Sequence, residues 1–229
     1  MRRNLIILFL YSLSFSVWAH EPKGDETAFR FVENKTQWDK KVKYKADIPW
    51  GALYLEKTCF TYDILDTRIL GILHAHSTAF NPDSLKVRGH AYKVNFINSN
   101  SDVEISSEEI FPDYYNYFIG SDRSKWASRV YAYHIVNYQN LYDGIDLKVY
   151  TQNSTLKYDF IVLPGTDPSK IKLQYEGLDR IFLSEGNLIL KNSINHIVEQ
   201  NPHVYQIIDD KKIVVACYYV LNGNILSYA

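Results

Sequence analysis

The strongest constraint in this chain is a two-residue rhythm. Apolar and polar side chains alternate in residues 42–46 (VKYKA), 90–96 (HAYKVNF), 145–149 (IDLKV), 157–162 (KYDFIV) and 171–175 (IKLQY). Successive side chains of an extended strand point to opposite faces, so each run has one face to bury and one for water. The 3.6-residue rhythm of amphipathic helices is almost absent. The 19 Tyr, 11 Phe and 4 Trp agree with this, because aromatic side chains fit a pleated, half-buried surface. Turn residues separate the runs at Glu56-Lys57, 164–168 (PGTDP), 184–187 (SEGN), Asp209-Asp210 and Asn222-Gly223. Asn222 and Gly223 are expected as the central pair of a type I′ hairpin turn, and residues 178–190 as a second hairpin. Short strands without a helix long enough to cross over predict an all-β chain, an antiparallel β-sandwich. A weak boundary near residues 120–128 would divide it into two packed β subdomains.

The first residues do not share the rhythm. MRRNLIILFLYSLSFSVWA carries Arg2 and Arg3, an apolar stretch, and then Val17 and Ala19 at the −3 and −1 positions of a secretory cleavage site. Tyr11, Ser12, Ser14 and Ser16 interrupt the apolar stretch, which falls short of the ~20 residues that a spanning helix requires. Residues 1–19 are therefore expected to be a signal peptide. Residues 20–229 are expected to form one exported domain with no membrane span. Without Arg2 and Arg3 the chain has 23 basic and 26 acidic residues, a net charge of −3, and no basic run. Nucleic acid is not an expected partner, since its recognition rests on neutralising a phosphate backbone.

Export would place Cys59 and Cys217 where a disulfide can form. Both lie in strand-like contexts far apart in sequence, and two separate thiols are the simpler reading; a bridge needs their Cα atoms within about 7 Å. Residues 66–89 break the alternation and are expected to be a surface excursion. They contain His74 and His76, which in an extended segment would point the same way, and His90 follows; the three are the candidate metal ligands. A structural zinc site uses four defined ligands, so a solvated loop competes with this reading.

A series of short motifs carries a family resemblance. Residues 31–38 (FVENKTQW), 42–47 (VKYKAD), 53–57 (LYLEK), 116–122 (NYFIGSD), Lys125-Trp126, 141–147 (LYDGIDL), 157–160 (KYDF), 164–169 (PGTDPS) and 202–206 (PHVYQ) occur in that order. Together they resemble an N-terminal domain of unassigned function in large exported bacterial proteins. Those proteins carry SBBP-type repeats, PKD-like modules or gliding-motility-associated C-terminal sorting domains. The resemblance implies an all-β domain on secreted or cell-surface proteins and brings no catalytic residues with it.

Asp143-Gly144-Ile145-Asp146 has the look of a calcium motif. A calcium ion takes six or more oxygens, however, and this stretch offers two side chains. Turn formation by Asp-Gly followed by a strand is the expected use. No nucleophile elbow or His-Glu-x-x-His motif is present, and no cofactor is expected. Trp50, Tyr54, Tyr114, Tyr115, Tyr117 and Trp126 are candidate ligand-binding aromatics, with core packing as the competing role. The expected function is a non-enzymatic structural or interaction module with a protein or surface polysaccharide as partner. The alternatives are a carbohydrate-binding module and a hydrolase whose carboxylates the sequence does not single out.

Overall fold

The structure, a computed structural model, describes residues 28–67 and 87–229 together with the backbone of strand β1 (Asn4–Leu10). The expected cleavage point at Ala19 lies outside the described residues. β2 (Phe31–Glu33), β3 (Val42–Ile48), β4 (Gly51–Glu56), β5 (Cys59–Leu65) and β6 (Gly89–Phe96) are followed by a long hairpin, β7 (Glu104–Tyr117) and β8 (Ala127–Tyr142). Then come β9 (Ile145–Gln152), β10 (Thr155–Val162) and β11 (Leu173–Glu176). β12 (Arg180–Ser184), β13 (Asn187–Lys191) and β14 (His196–Glu199) form a separate small sheet. β15 (His203–Ile208), β16 (Lys211–Val215), β17 (Tyr219–Asn222) and β18 (Ile225–Tyr228) complete the series.

The main ladder runs β16-β15-β1-β10-β9-β8-β2-β3-β4-β5-β6-β11-β18-β17, with β7 on β8. Strand β8 turns the corner. Its residues Ile135–Tyr138 pair with β9, whereas Ala132 and Tyr133 pair with Val32 and Phe31 of β2. One strand thus belongs to both layers, a device by which sandwiches make their edges. The layers meet through aromatic side chains: Phe60 of β5 lies 6.0 Å from Tyr138 of β8 and 6.5 Å from Tyr158 of β10. Phe160 of β10 meets Tyr228 of β18 at 6.4 Å. The fold is an all-β sandwich.

Phe31, Leu53, Leu55, Ile64, Tyr138, Leu147 and Phe160 are fully buried between the layers, each such side chain contributing roughly 1.5–3 kcal/mol. Several buried tyrosines find partners for their hydroxyls inside the core. Tyr138 donates to the Glu56 carbonyl at 3.0 Å and Tyr142 to the Lys172 carbonyl at 3.2 Å. Glu199, buried to 1% exposure, accepts from Tyr158 at 3.2 Å and Tyr175 at 2.9 Å. Burial, with the nearby Glu199 adding to it, holds both phenols well above their usual range, so they remain donors.

Residues 120–128 join β7 to β8, which share one ladder. One expectation needs correction. In the last hairpin Asn222 pairs with Ile225, which makes Gly223-Asn224 the central residues. Only Gly223 has a positive φ, +61°, the type II′ pattern in which glycine takes the first central position. The hairpin over 178–190 forms as expected, with β12 and β13 joined through Glu185-Gly186.

Candidate functional site

Among the described residues β7 pairs with β8 alone, so its outer side is a sheet edge there. Pro112, Glu104, Glu108 and Glu109 lie along it, and the register shifts between Ile110 and Tyr114 and again between Tyr115 and Tyr117. Proline, charge and bulges are the features that keep an exposed edge from pairing with another chain. Function is therefore better sought at the tip of this hairpin than along its edge.

Beneath the tip lies a small second core of Val32, Phe111, Ala127, Val130 and Ala132, with Trp38, Tyr115 and Tyr117 packed against it. Trp38 and Tyr117 meet edge-to-face at 5.5 Å. The guanidinium of Arg30 lies 4.2 Å from the Phe111 ring centre and pairs with Asp113 at 2.7 Å. That bond holds the Asp113 carboxyl below its usual range. The connecting loop is also built rather than loose. Asp122 caps the turn Arg123–Lys125 by accepting from the Ser124 N–H at 3.1 Å and its hydroxyl at 2.6 Å. The Trp126 indole donates to the Gly120 carbonyl at 3.2 Å.

On this platform large apolar side chains face solvent. Phe118 is 58% exposed, Ile119 78%, Tyr114 51% and Trp126 37%. Phe118 and Trp126 lie 5.7 Å apart at 66°, and Tyr114 and Tyr131 6.1 Å apart at 70°. Cations sit over the outer rings, Arg123 over Trp126 at 5.3 Å and Lys35 over Tyr131 at 5.4 Å. The patch is a rigid, amphipathic aromatic surface of the kind enriched at protein interfaces.

Of the candidate aromatics, the fold brings Tyr114, Tyr115, Tyr117 and Trp126 to this hairpin end. Trp50 is buried in the main core, stacked on Tyr62 at 6.5 Å, and takes no part in a surface. Tyr54 is half-buried on β4, on a different part of the ladder. Phe118, Ile119 and Tyr131 were missed. The signal for the first two was present in the sequence, two consecutive large apolar residues immediately before Gly120-Ser121, where a turn would expose them.

A family model for a domain of unknown function, DUF7948, matches residues 31–229. The chain belongs to the DUF7948 family. No curated protein and no solved structure matches it.

The other sites expected in this DUF7948 domain are placed as follows. His74 and His76 lie outside the described residues. His90, on β6, has its Nδ1 3.0 Å from the Ser193 hydroxyl and its Nε2 2.6 Å from the Gly177 carbonyl, so both ring nitrogens are engaged by protein groups. Among the described residues no three His, Cys, Asp or Glu side chains are grouped as metal ligands. Cys59 and Cys217 are free thiols and not a bridge. Cys59 is buried at the start of β5, opposite Asn95, where burial, with Glu56 adding to it, pushes its thiol up to about 11. Cys217 lies half-buried between β16 and β17, its thiol also raised by burial.

Asp143-Gly144 in this family member is the two-residue turn between β8 and β9, with Tyr142 paired to Ile145 across it. The Asp146 carboxylate accepts the Asn140 backbone N–H at 2.6 Å, and Asp143 accepts from the Asn100 amide at 3.3 Å. Ile145, Leu147 and Val149 turn into the core. The two carboxylates serve different neighbours, Asp146 the end of β8 and Asp143 the loop residue Asn100, and the stretch starts a strand.

Proposed function

We propose that this chain is an exported, non-catalytic interaction module that docks a protein partner through the aromatic end of the β7–β8 hairpin. The supporting observation is the exposure of Phe118 and Ile119 on a platform made rigid by its own small core and by a capped loop. Ordering such side chains costs free energy at an interface, and a surface that is already ordered has less left to lose on binding. The setting proposed is that of large exported bacterial proteins with SBBP-type repeats, PKD-like modules or gliding-motility-associated sorting domains, delivered by a leader removed after Ala19. The edge-to-face angles of Phe118 with Trp126 and of Tyr114 with Tyr131 suit interdigitating side chains better than flat sugar rings.

The test places a photo-activated cross-linker at Ile119 in the protein made by its own cells. Discrete protein adducts are expected at position 119 and not at Glu185, which tips a remote hairpin. They should be lost when Phe118→Ser and Trp126→Ser are combined in a protein that keeps its β-sheet circular dichroism. Equal adducts at both positions would overturn the reading. Retention on surface polysaccharide that disappears in the same double variant would replace it with sugar binding.

A further inference from the structure

The backbone of β1 sits between two strands that meet only through it in the ladder order. On one side Leu5, Ile7 and Phe9 are opposite Val162, Phe160 and Tyr158 of β10. On the other, Leu5 and Ile7 are opposite Gln206 and Val204 of β15. Both pairings are antiparallel, so β10 and β15 run parallel to each other, two ladder spacings or roughly 9–10 Å apart. These are residues of the expected leader. On the reading proposed above, that the leader is removed after Ala19, the exported chain keeps this seat and loses what fills it.

The chemistry of the seat is set by its walls. Tyr158, Phe160 and Val162 of β10 and Val204 of β15 are buried at 3% exposure or less, and the half-buried Gln206 shares Val204's face, so the apolar requirement is set mainly by β10. The positions that alternate with them, Lys157, Asp159 and Ile161 on β10 and His203, Tyr205 and Ile207 on β15, are mixed in polarity. A strand that fits must therefore be apolar at every second position and is free to vary at the others. It must also have both of its own edges unpaired, because it bonds on both sides. The outer strands of a second copy, β7, β16 and β17, each already pair along one edge and do not qualify.

We infer that in the processed chain the seat between β10 and β15 accepts, by strand addition, an extended, alternately apolar segment of another exported polypeptide. Two facing rows of unpaired backbone groups drive this, and a segment inserted between them satisfies both at once. The partner's apolar positions take the places of Leu5, Ile7 and Phe9, and its direction is antiparallel to both walls.

The test measures amide hydrogen exchange in three samples: the full chain made without export, the exported processed chain, and the processed chain with a synthetic peptide. The peptide has the sequence of residues 4–10 flanked by lysines. Thr155–Val162 and His203–Ile208 are expected to exchange at least about tenfold faster after processing, while Gly51–Glu56 is unchanged. The peptide should restore protection, and a version with aspartate at the places of Leu5, Ile7 and Phe9 should not. Full protection in the processed monomer without peptide would mean the gap has closed, and would overturn the inference. Protection that accompanies a dimer mass would assign the seat to a second copy and also overturn it. No response to the peptide does the same while leaving the leader reading intact. An exported protein that still carries Met1 would sink both together.

Discussion

Gly144 is the residue on which the Asp143-Gly144 turn depends, and replacing it gives a sharp test of that reading. Its φ of +76° lies in the region that side-chain-bearing residues avoid, at a cost of about 1–2 kcal/mol for alanine. A Cβ added there would fall on the Thr166 hydroxyl oxygen and lie within 3.2 and 3.3 Å of its Cγ2 and Cβ. Thr166 is half-buried, and its own N–H is tied to the Leu163 carbonyl at 3.1 Å, so its side chain has to rotate or the loop has to move. Such a displacement adds roughly 1–2 kcal/mol. Gly144→Ala should therefore destabilise the protein by about 2–4 kcal/mol, measured as a lower urea midpoint at unchanged slope. In a domain of this size that lowers Tm by roughly 4–16 °C. Asp143→Asn keeps the acceptor for Asn100 and should cost less than about 0.5 kcal/mol. The partition can be checked too. Thr166→Ala removes the nearest atom, so the double variant should recover about 1–2 kcal/mol relative to the sum of the singles, while the backbone strain stays. A Gly144→Ala protein within 0.5 kcal/mol of wild type, by this ~0.5 kcal/mol additivity margin, or a double variant showing no recovery, would refute the reasoning.

Three further outcomes are expected. Burial pushes the Asp159 carboxyl up to about 7, with the Tyr150 hydroxyl, Lys148, Lys157 and Lys212 drawing it back down. A carboxyl raised in the folded state holds a proton that the unfolded chain has already lost, so stability of the full chain should fall as pH rises from about 4 to about 7. The fall is at most about 4 kcal/mol, and Asp159→Asn should flatten it in urea titrations across that range; an unchanged slope would count against a buried acid there. Tyr175→Phe removes one of the donors to the buried Glu199 carboxyl and should cost about 1–3 kcal/mol in the same assay. Millimolar calcium should leave the melting temperature unchanged, since only a ligand that prefers the folded state raises it. A rise abolished by both Asp143→Asn and Asp146→Asn would make the turn an ion site.

The strands that were legible carry local signals, whereas the long hairpin of β7 and β8 was not read from the sequence. Alternation over 42–46, 90–96, 145–149 and 157–162 reports which residues share a face, and glycine before a strand reports a backbone that other residues strain. The same alternation does not say what covers each face. Lys157 and Asp159 read as the wet side of their strand, yet both are buried, in a strand flanked on both edges by neighbours in the ladder. Trp50 and Phe118 are equally apolar by composition, but one stacks inside the sandwich and the other crowns a hairpin. The final turn slipped by one residue because the register is fixed by the pairing of Tyr219 with Tyr228 and Leu221 with Leu226 as well as by the glycine. By itself, then, the sequence determined the all-β class, the strands over 42–46, 90–96, 145–149 and 157–162 and the turn at Asp143-Gly144, since near-neighbour sterics and hydrophobic periodicity decide these. Only the tertiary structure decided that β8 pairs with both β9 and β2, that the aromatics divide into core and surface, and that β10 and β15 are joined through β1. Those features depend on pairings between residues far apart in the chain, which no local pattern encodes.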